Sequence, residues 1–550
     1  IHFILGEGGL KYVPDCAVEL QYMQGNKDKR LSSTLSMQTL NSLNLSIEDA
    51  NILTDRTIEM FNRVLTDVDY ALEFLGTYFP TNLDAESIDE VLVTKVHKAL
   101  VANPESIKES WVKKALAKKL LGKRNKKGKL IEKGALQRAK YGKLPVKGNF
   151  FFVITDPYAH LGLGEQFDSG EIYFNDFEQK VSLFRYPNVH ESEIVKADTV
   201  KASEYSYLKN VIIVNSIDDT LPRMGGADTD GDLLLIVFDE VIVKNTPNIH
   251  PVLPYGEGAE AVKTKLTLKS YNNKLMESIF DNSKIGQITN NATIFRDFEN
   301  SLNNKDRKAK LAAAYHQKVF QLRFLQGYEI DKAKTGVKVE INDDLKPKYI
   351  PTWFFRYLFE YKGVSIDYLK ENYSNEGDWD LVIDSSSALG HIYRKFRDYE
   401  EALKLKIEDM QKGTSLKGFL SFIISHKDFN SEDAKDIYKY VESLEKGYRK
   451  EISLALNHDD KNTKNYHAGL VFNKYQKLMD DIDVSGITKL YVSYTIVTNR
   501  ESNSDSFYRS FCFDDLIKVY GEMSKEDTLL IKVDDMVQKV TIRGDKVYFD

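Results

Sequence analysis

The chain has 550 residues, of which 42% are hydrophobic, 29% are charged and only 12 are proline. This composition excludes disordered, collagen-like and low-complexity proteins and is typical of a folded chain with several domains. Two cysteines are too few for a disulfide framework or a cysteine-based zinc site. The 76 basic and 82 acidic residues give a net charge of −6, so the overall charge does not indicate a nucleic-acid partner.

Targeting signals are not evident in the sequence. The longest apolar run, residues 233–238, is too short to span a membrane, so we expect no membrane partner. The first residues lack an initiating methionine and the basic stretch of a signal peptide. We therefore expect a cytoplasmic location. We also expect the chain to begin inside a domain, as the C-terminal portion of a longer protein or as one subunit.

Residues 31–144 are predicted to be a helical connector that follows a remnant of another domain in residues 1–30. Ser46 precedes two acidic residues and provides an N-cap signal, after which apolar residues recur at helical spacing from Ile52 to Leu75.

A basic stripe occupies residues 113–147, in which Glu132 is the only acidic residue. Such a stripe would neutralise a phosphate backbone, but a solvated helix face followed by a basic loop explains it equally well. The candidates for nucleic-acid contacts are Lys123, Arg124, Lys126 and Lys127.

Residues 145–250 are predicted to be all-β. Short runs rich in β-branched and aromatic residues alternate there with Gly, Pro, Asn and Asp, as is typical of a compact barrel or sandwich. The predicted strands cover residues 150–154, 171–174, 181–184, 211–214 and 233–238.

Helical periodicity returns after the β region and is clearest in residues 310–323. In the last part we predict a strand over residues 490–497 and a helix over residues 513–520. The chain is thus predicted to be an α+β multidomain protein with a barrel flanked by mainly helical domains. The three regions after the barrel are helical residues 251–345, helical residues 346–480 and mixed α/β residues 481–550.

Three aspartates stand at every second position in Asp228-Thr229-Asp230-Gly231-Asp232. Their side chains can point to one side of an extended loop, and Gly231 allows a turn that brings the third inward. Anions this close are stable around a cation, and oxygen ligands without His or Cys favour Mg²⁺, with Mn²⁺ as the alternative. Asp228, Asp230 and Asp232 are therefore the predicted metal ligands and catalytic residues.

Other readings of this loop were weighed. An EF-hand calcium loop would place the three aspartates at positions 1, 3 and 5 and Asp239 at position 12, but Leu233 stands where that motif requires glycine. An ordinary Asp/Gly hairpin turn does not require three acids. A metal-dependent phosphohydrolase would need a nucleophile or histidine ligands nearby, and none is adjacent in the sequence.

The acidic motif resembles the Asp-x-Asp-Gly-Asp metal site of the two-barrel RNA polymerases. This superfamily contains the large subunits of cellular RNA polymerases, the RNA-dependent RNA polymerases of gene silencing and single-chain phage enzymes of the YonO type. Residues 184–190 (Phe-Arg-Tyr-Pro-Asn-Val-His) resemble the segment that precedes the metal loop in the second double-psi β-barrel of that superfamily. The resemblance covers roughly residues 30–350, with weaker similarities at residues 32–45, 154–157, 285–290 and 330–336.

This resemblance implies a double-psi β-barrel catalytic domain and template-directed RNA synthesis from ribonucleoside triphosphates by two-metal catalysis. The implied partners are a nucleic-acid template and the RNA product. YonO-type enzymes copy DNA and silencing-type enzymes copy RNA. The richness in Lys, Asn, Ile and Tyr suggests a bacterial or phage genome, and so favours single-stranded or melted DNA as template. A non-catalytic nucleic-acid-binding protein that retains the barrel is the alternative.

Further site residues follow from the resemblance. Arg185 is the candidate for contacting the sugar of the substrate or the primer end, with an arginine held in an ion pair as the alternative. Lys332 and Lys334 are candidates for template phosphates, or they belong to a solvated turn. The helix over residues 310–323 either takes the place of the family's bridge helix or simply packs in the core. His190 is expected to be a packed or capping residue.

Two departures from the family pattern affect the expected site. Gly226 stands where cellular large subunits carry asparagine, so a sugar contact is missing or comes from elsewhere. The family builds its site between two barrels, and residues 1–30 are too few to form the first one. We expect a preceding part of the chain or a separate polypeptide to supply that barrel.

Overall fold

A computed structural model of the chain divides into two compact units. The first comprises the described residues up to 59 and those in 121–401, and the second those in 60–120 and 402–550. The predicted connector, residues 31–144, is therefore not one domain, because its middle part belongs to the second unit. The structure describes residues 31–79, 88–124, 130–164, 167–208, 210–225, 227–249, 265–280, 283–302, 307–330, 332, 339–365, 367–369, 382–410, 419–425, 429–458, 461–499, 507–524, 526–533, 536–543 and 546–549.

The first unit is organised around a seven-stranded sheet, and a separate two-stranded ribbon is formed by β2 and β3. The strands in chain order are β1 (Ser32–Thr34), β2 (Lys123–Arg124), β3 (Leu130–Glu132), β4 (Pro145–Thr155), β5 (Glu171–Tyr173), β6 (Lys180–Phe184), β7 (Val195–Val200), β8 (Val211–Val214) and β9 (Leu233–Val237).

Six of these strands close into a barrel. The order is β1-β4-β8-β5-β7-β6-β9, and β9 pairs back onto β4. The β4–β8 and β5–β7 pairs are parallel, while the pairs that join β9 to β4 and to β6 are antiparallel. Inward-facing residues such as Phe151, Ile172 and Leu234 fill the interior and bury the apolar surface that stabilises the barrel.

Closure of the barrel brings two backbones unusually close together at Gly148 in β4. A Cβ atom at this position would lie 2.2 Å from the carbonyl oxygen of Ile236 in β9. Only glycine permits this approach, because any other residue would force the two strands apart.

Helices surround the barrel and form most of the second unit. Residues Ile288, Phe295, Val319 and Leu322 form a buried seam between two long helices that lie side by side in the first unit, Ser283–Ser301 and Arg307–Ile330. The α-helices in chain order are Met37–Ser42, Ile47–Arg63, Val68–Tyr78, Ile88–Ala102, Ser110–Leu121, Ala135–Lys140, Pro157–His160, Thr220–Arg223, Glu240–Asn245, Leu268–Phe280, Ser283–Ser301, Arg307–Ile330, Thr352–Arg356, Ala388–Met410, Phe419–Ser425, Ser431–Ala455, Lys461–Asp480, Gly486–Thr498, Phe507–Phe511 and Phe513–Met523.

Shorter elements complete the description. A π-helical turn, Tyr357–Tyr361, follows Thr352–Arg356, and β10 (Ile350–Pro351) pairs in parallel with β11 (Val382–Ile383). In the second unit, β12 (Glu526–Val533), β13 (Met536–Arg543) and β14 (Lys546–Phe549) form an antiparallel sheet. Among the described helices, none is both long and apolar enough to cross a bilayer.

The predicted α+β fold with a barrel and helical parts is confirmed, and so are the five predicted strands of the barrel. The helix over residues 310–323 is confirmed within Arg307–Ile330, and the helix over residues 513–520 within Phe513–Met523. The sequence analysis missed β7, and it missed β1 because residues 31–144 were predicted to be helical.

The strand predicted over residues 490–497 is wrong, since this segment lies in the helix Gly486–Thr498. Ser485 caps that helix by accepting the backbone N–H of Thr488 at 3.2 Å. The apolar run suits either element, and the cap together with burial on most sides of the helix decides for helix.

Candidate metal-dependent active site

The acidic loop is fixed at one end of the barrel by strand β9. Asp232 directly precedes β9, and its carbonyl oxygen accepts the backbone N–H of Val153 in β4 at 3.1 Å. Since β9 is hydrogen-bonded to strands on both sides, the barrel determines where this loop begins and where its carboxylates lie.

The structure brings the three predicted ligands together. One ligand oxygen from each of Asp228, Asp230 and Asp232 lies within 4.8 Å of the others. The loop also folds back on itself, because the N–H of Asp228 donates to Oδ2 of Asp232 at 3.0 Å and the N–H of Asp230 donates to Oδ1 of Asp228 at 3.3 Å. Gly231 supports this geometry with a φ of +130°, in a region that other residues rarely adopt.

This arrangement fits a small divalent cation. In an octahedral Mg²⁺ site with ligands about 2.1 Å from the ion, opposite oxygens lie about 4.2 Å apart, close to the spacing of these carboxylates. The three carboxylates supply only hard oxygen ligands, which suit Mg²⁺ or Mn²⁺. Asp228, Asp230 and Asp232 would hold the ion.

Arg185 lies beside the carboxylates because β6 ends next to the beginning of β9. Phe184 in β6 pairs with Leu235 in β9. The guanidinium of Arg185 binds Asp232 through two nitrogens, with Nε 2.9 Å from Oδ2 and a terminal nitrogen 3.1 Å from Oδ1. Another terminal nitrogen donates to the carbonyl of Gly225 at 3.2 Å. The ion pair considered for Arg185 is therefore present, within the acidic site itself.

A second, fully buried ion pair lies behind Arg185. Nε of Arg323 is 2.9 Å from Oε1 of Glu193, and both side chains are almost completely buried. Glu193 also accepts the backbone N–H groups of Val189 and His190 at 2.7 and 3.0 Å. Burial raises the pKa of Glu193, while Arg323 and these two donors act in the opposite direction.

These two ion pairs lie next to each other and connect the acidic loop to a long helix. A Cβ atom added at Gly225 would be 3.3 Å from a terminal nitrogen of Arg185 and 3.6 Å from Oε1 of Glu193. Asp232, Arg185, Glu193 and Arg323 thus alternate in charge from the metal loop to the helix Arg307–Ile330. The sequence analysis did not find Glu193 or Arg323 as site residues, because they are far from the motif in sequence.

His190 is a packed capping residue, as expected. Its Nδ1 accepts the backbone N–H of Ser192 at 3.1 Å at the start of a short 3₁₀ helix, Glu191–Glu193. Burial, with smaller contributions from Arg296 and His316, lowers the pKa of His190 to about 3, so its imidazole is neutral at physiological pH.

The other candidate residues lie in varied surroundings. Nζ of Lys332 is 3.8 Å from the carboxylate of Glu329, and the lysine side chain is mostly buried. Lys123 and Arg124 lie exposed on the ribbon formed by β2 and β3, with Arg124 3.7 Å from Glu400. Outside the described residues are Lys126, Lys127, Lys334 and Gly226.

The fold and site together define a class of protein. A closed barrel with three convergent carboxylates at one end and an arginine beside them has the features expected of the two-barrel RNA polymerase superfamily. A sequence model of the family described as RNA dependent RNA polymerase matches residues 26–396, more than half of the chain. The chain belongs to this family, and the predicted superfamily is confirmed.

Two known proteins are similar to parts of the chain. The DNA-directed RNA polymerase YonO of Bacillus phage SPbeta is 24% identical over 282 residues, which are 48% of this chain and 31% of that protein. The RNA dependent RNA polymerase QDE-1 from Thielavia terrestris superposes with a TM-score of 0.41 and 12% identity, over 91% of this chain and 58% of that one. This structural likeness is too low to carry an argument. The matched part of YonO is about a third of that protein.

Proposed function

We propose that the chain carries the metal-binding barrel of an RNA polymerase and takes part in template-directed RNA synthesis from ribonucleoside triphosphates. The observation that carries this proposal is the convergence of Asp228, Asp230 and Asp232 at the barrel end. The reaction is nucleotidyl transfer, in which an RNA 3′-hydroxyl attacks the α-phosphate of the incoming nucleotide and pyrophosphate leaves. Divalent ions, when bound, lower the pKa of the attacking hydroxyl and offset the charge that develops on the leaving group.

The residues around the carboxylates have separate roles in this proposal. The three aspartates hold and orient the ligand oxygens. Arg185 positions Asp232 with two of its nitrogens, and a guanidinium has five N–H donors, more than these contacts and the one to Gly225 use. Its side chain is 23% exposed. Arg185 therefore retains donors that can reach a substrate sugar or the primer end.

Template and partners are inferred from the relatives. Similarity to a protein named a DNA-directed RNA polymerase supports single-stranded or melted DNA as the template. The family model, described as RNA dependent RNA polymerase, supports RNA as the second candidate. We also propose that a first barrel, from a preceding part of the protein or from another chain, completes the site. A cytoplasmic location remains a prediction.

Ribonucleotide incorporation on two templates tests this function. The purified chain is supplied with Mg²⁺, the four ribonucleoside triphosphates and either primed single-stranded DNA or primed single-stranded RNA of the same sequence. We expect RNA product on DNA that disappears when Mg²⁺ is chelated. Product on RNA alone would assign the chain to the RNA-directed type. If neither template gives product, even with the preceding part of the protein added, the chain is a non-catalytic nucleic-acid-binding protein.

Arg185→Gln is expected to raise the KM for ribonucleoside triphosphates about tenfold and to reduce the preference for ribonucleotides over deoxyribonucleotides. The glutamine lacks the positive charge and most of the donors of the guanidinium. Steady-state incorporation with both nucleotide types measures the two effects. Lys180→Gln is the control, because Lys180 forms an exposed ion pair with Asp198 on the same barrel. An unchanged KM and an unchanged sugar preference would limit Arg185 to pairing with Asp232.

Gly231→Ala is expected to raise the Mg²⁺ concentration needed for half-maximal incorporation about tenfold. A Cβ atom would meet nothing within 4 Å, so the effect would come from the backbone, which alanine resists holding at φ +130°. Gly162→Ala is the matched control, since Gly162 has a φ of +70° and equally open surroundings outside the acidic loop. Equal Mg²⁺ dependence in the two variants would contradict a role for Gly231 in shaping the metal loop.

A further inference from the structure

A second recess in the first unit lies where β1 and β4 meet the π-helical turn Tyr357–Tyr361. The recess has a volume of about 360 Å³, within the ~300–1,000 Å³ range of small-molecule sites. It is lined by aromatic and basic side chains, among them Arg138, Tyr141, Lys143, Tyr186, Tyr357 and Tyr361. Tyr186 directly follows Arg185, so the recess begins one residue along the chain from the arginine that binds Asp232.

The aromatic rings form two groups in the wall of this recess. The rings of Tyr357 and Tyr361 are stacked, with centroids 5.4 Å apart, and each meets the ring of buried Tyr141 at a steep angle. Opposite in sequence, Phe150 of β4 meets Tyr186 edge to face at 5.6 Å. The rings of Tyr357, Tyr361 and Tyr186 are each only partly buried, so part of their surface remains accessible to a flat ligand.

Cations gather around the same rings. Nζ of Lys133 lies 4.3 Å from the ring centroid of Tyr361, and Nζ of Lys362 lies 5.6 Å from that of Tyr357. Partial desolvation lowers the pKa of Lys143, and the neighbouring cations Arg138, Lys362 and Lys133 lower it further. This mutual repulsion would be relieved by a bound anion.

One acidic side chain offsets part of this charge. Glu360 accepts the hydroxyl of Tyr141 at 3.4 Å and pairs with Arg356 at 3.0 Å. The four cations around the recess, Lys133, Arg138, Lys143 and Lys362, still outnumber it. The combination of accessible rings and excess positive charge suits a ligand that has both a flat aromatic group and a phosphate.

We propose that this recess binds one nucleotide unit of a single-stranded nucleic acid, with its base against the tyrosine rings and its phosphate beside Arg138 and Lys143. Stacking on aromatic rings is tolerant of base identity, so the contact holds a strand without reading its sequence. The choice of a nucleic-acid strand rests on the proposed function, and a free ribonucleoside triphosphate offers the same chemistry. The site differs from the acidic loop in both its residues and its task.

Fluorescence anisotropy with fluorescein-labelled single strands of twelve thymidines or twelve uridines tests the site, and displacement of a fluorescent ATP analogue tests for free nucleotide. Tyr361→Leu is expected to weaken strand binding about tenfold, while Tyr361→Phe retains the ring and nearly full affinity. Tyr349→Leu is the control for loss of an exposed tyrosine. Lys143→Gln, which changes an exposed side chain, is expected to lower the slope of log Kd against log salt by about one.

Weaker binding of the strand in Tyr361→Leu supports the proposal, and weaker binding of the ATP analogue alone supports the site with free nucleotide as its ligand. Unchanged binding of both probes in Tyr361→Leu and Lys143→Gln would overturn it. Mg²⁺-dependent RNA synthesis by the wild-type chain is measured separately. A chain that makes RNA but binds equally well in all variants disproves only the recess. A chain whose strand binding depends on Tyr361 but that makes no RNA disproves only the polymerase activity.

Discussion

Replacing Asp230 by alanine is expected to lower the rate of Mg²⁺-dependent ribonucleotide incorporation by about 10³-fold or more. The change removes one of three convergent carboxylates, and of the two that remain, Asp232 is already bound by Arg185. Because Asp230 is exposed, the loss is expected without unfolding of the barrel. Single-turnover extension of a primed template measures the rate directly.

Asp198→Ala is the matched control for this prediction. Asp198 is an exposed carboxylate on β7 of the same barrel and pairs with Lys180 at 2.8 Å. Its removal changes the net charge by the same amount, but it lies outside the acidic cluster, so the rate is expected to stay within about twofold of wild type. A rate for Asp230→Ala that matches that of Asp198→Ala would remove the acidic loop from the chemistry.

Gly148→Ala is expected to have the largest effect on stability, lowering the free energy of local unfolding around β4 and β9 by about 3 kcal/mol. The added methyl group would lie 2.2 Å from the carbonyl oxygen of Ile236, so the two strands that close the barrel must move apart. Hydrogen exchange of the amides in Leu233–Val237, followed by mass spectrometry, reports this opening.

Gly170→Ala separates strand separation from backbone strain. Gly170 also has a positive φ, +83°, but a Cβ atom there would meet nothing within 4 Å. Its substitution is expected to cost about 1 kcal/mol and to leave exchange in β9 unchanged. Equal protection of β9 in the two variants would show that the close approach at Gly148 is not needed for barrel closure.

The barrel strands were predictable where apolar residues follow one another without interruption, as in β8 and β9. Strand β7 was missed because it alternates, with Val195 and Ala197 facing inward and Lys196 and Asp198 facing outward. Alternation of this kind marks a half-buried strand, and it is a weaker signal than a continuous run. The helix Gly486–Thr498 shows the opposite failure, since a continuous apolar run does not distinguish a strand from a buried helix.

In the site, the sequence predicts the contacts that are local and misses those made by folding. Asp228, Asp230 and Asp232 converge because the loop is short and contains a glycine, and both features are visible in the sequence. The pairing of Arg185 with Asp232 depends on the register between β6 and β9. The pairing of Glu193 with Arg323 depends on how a long helix packs against the barrel. Neither register nor packing can be read from residue spacing.

Iron-mediated cleavage tests most directly whether the three aspartates hold a divalent ion. Fe²⁺ replaces Mg²⁺ in the folded chain, and ascorbate with peroxide then generates hydroxyl radicals that cut the backbone next to the bound metal. We expect cuts within a few residues of Asp228 to Asp232 and at Arg185, suppressed by excess Mg²⁺ and lost in Asp230→Ala. The same cuts in Asp230→Ala, or cuts only at distant residues, would show that the ion is held elsewhere.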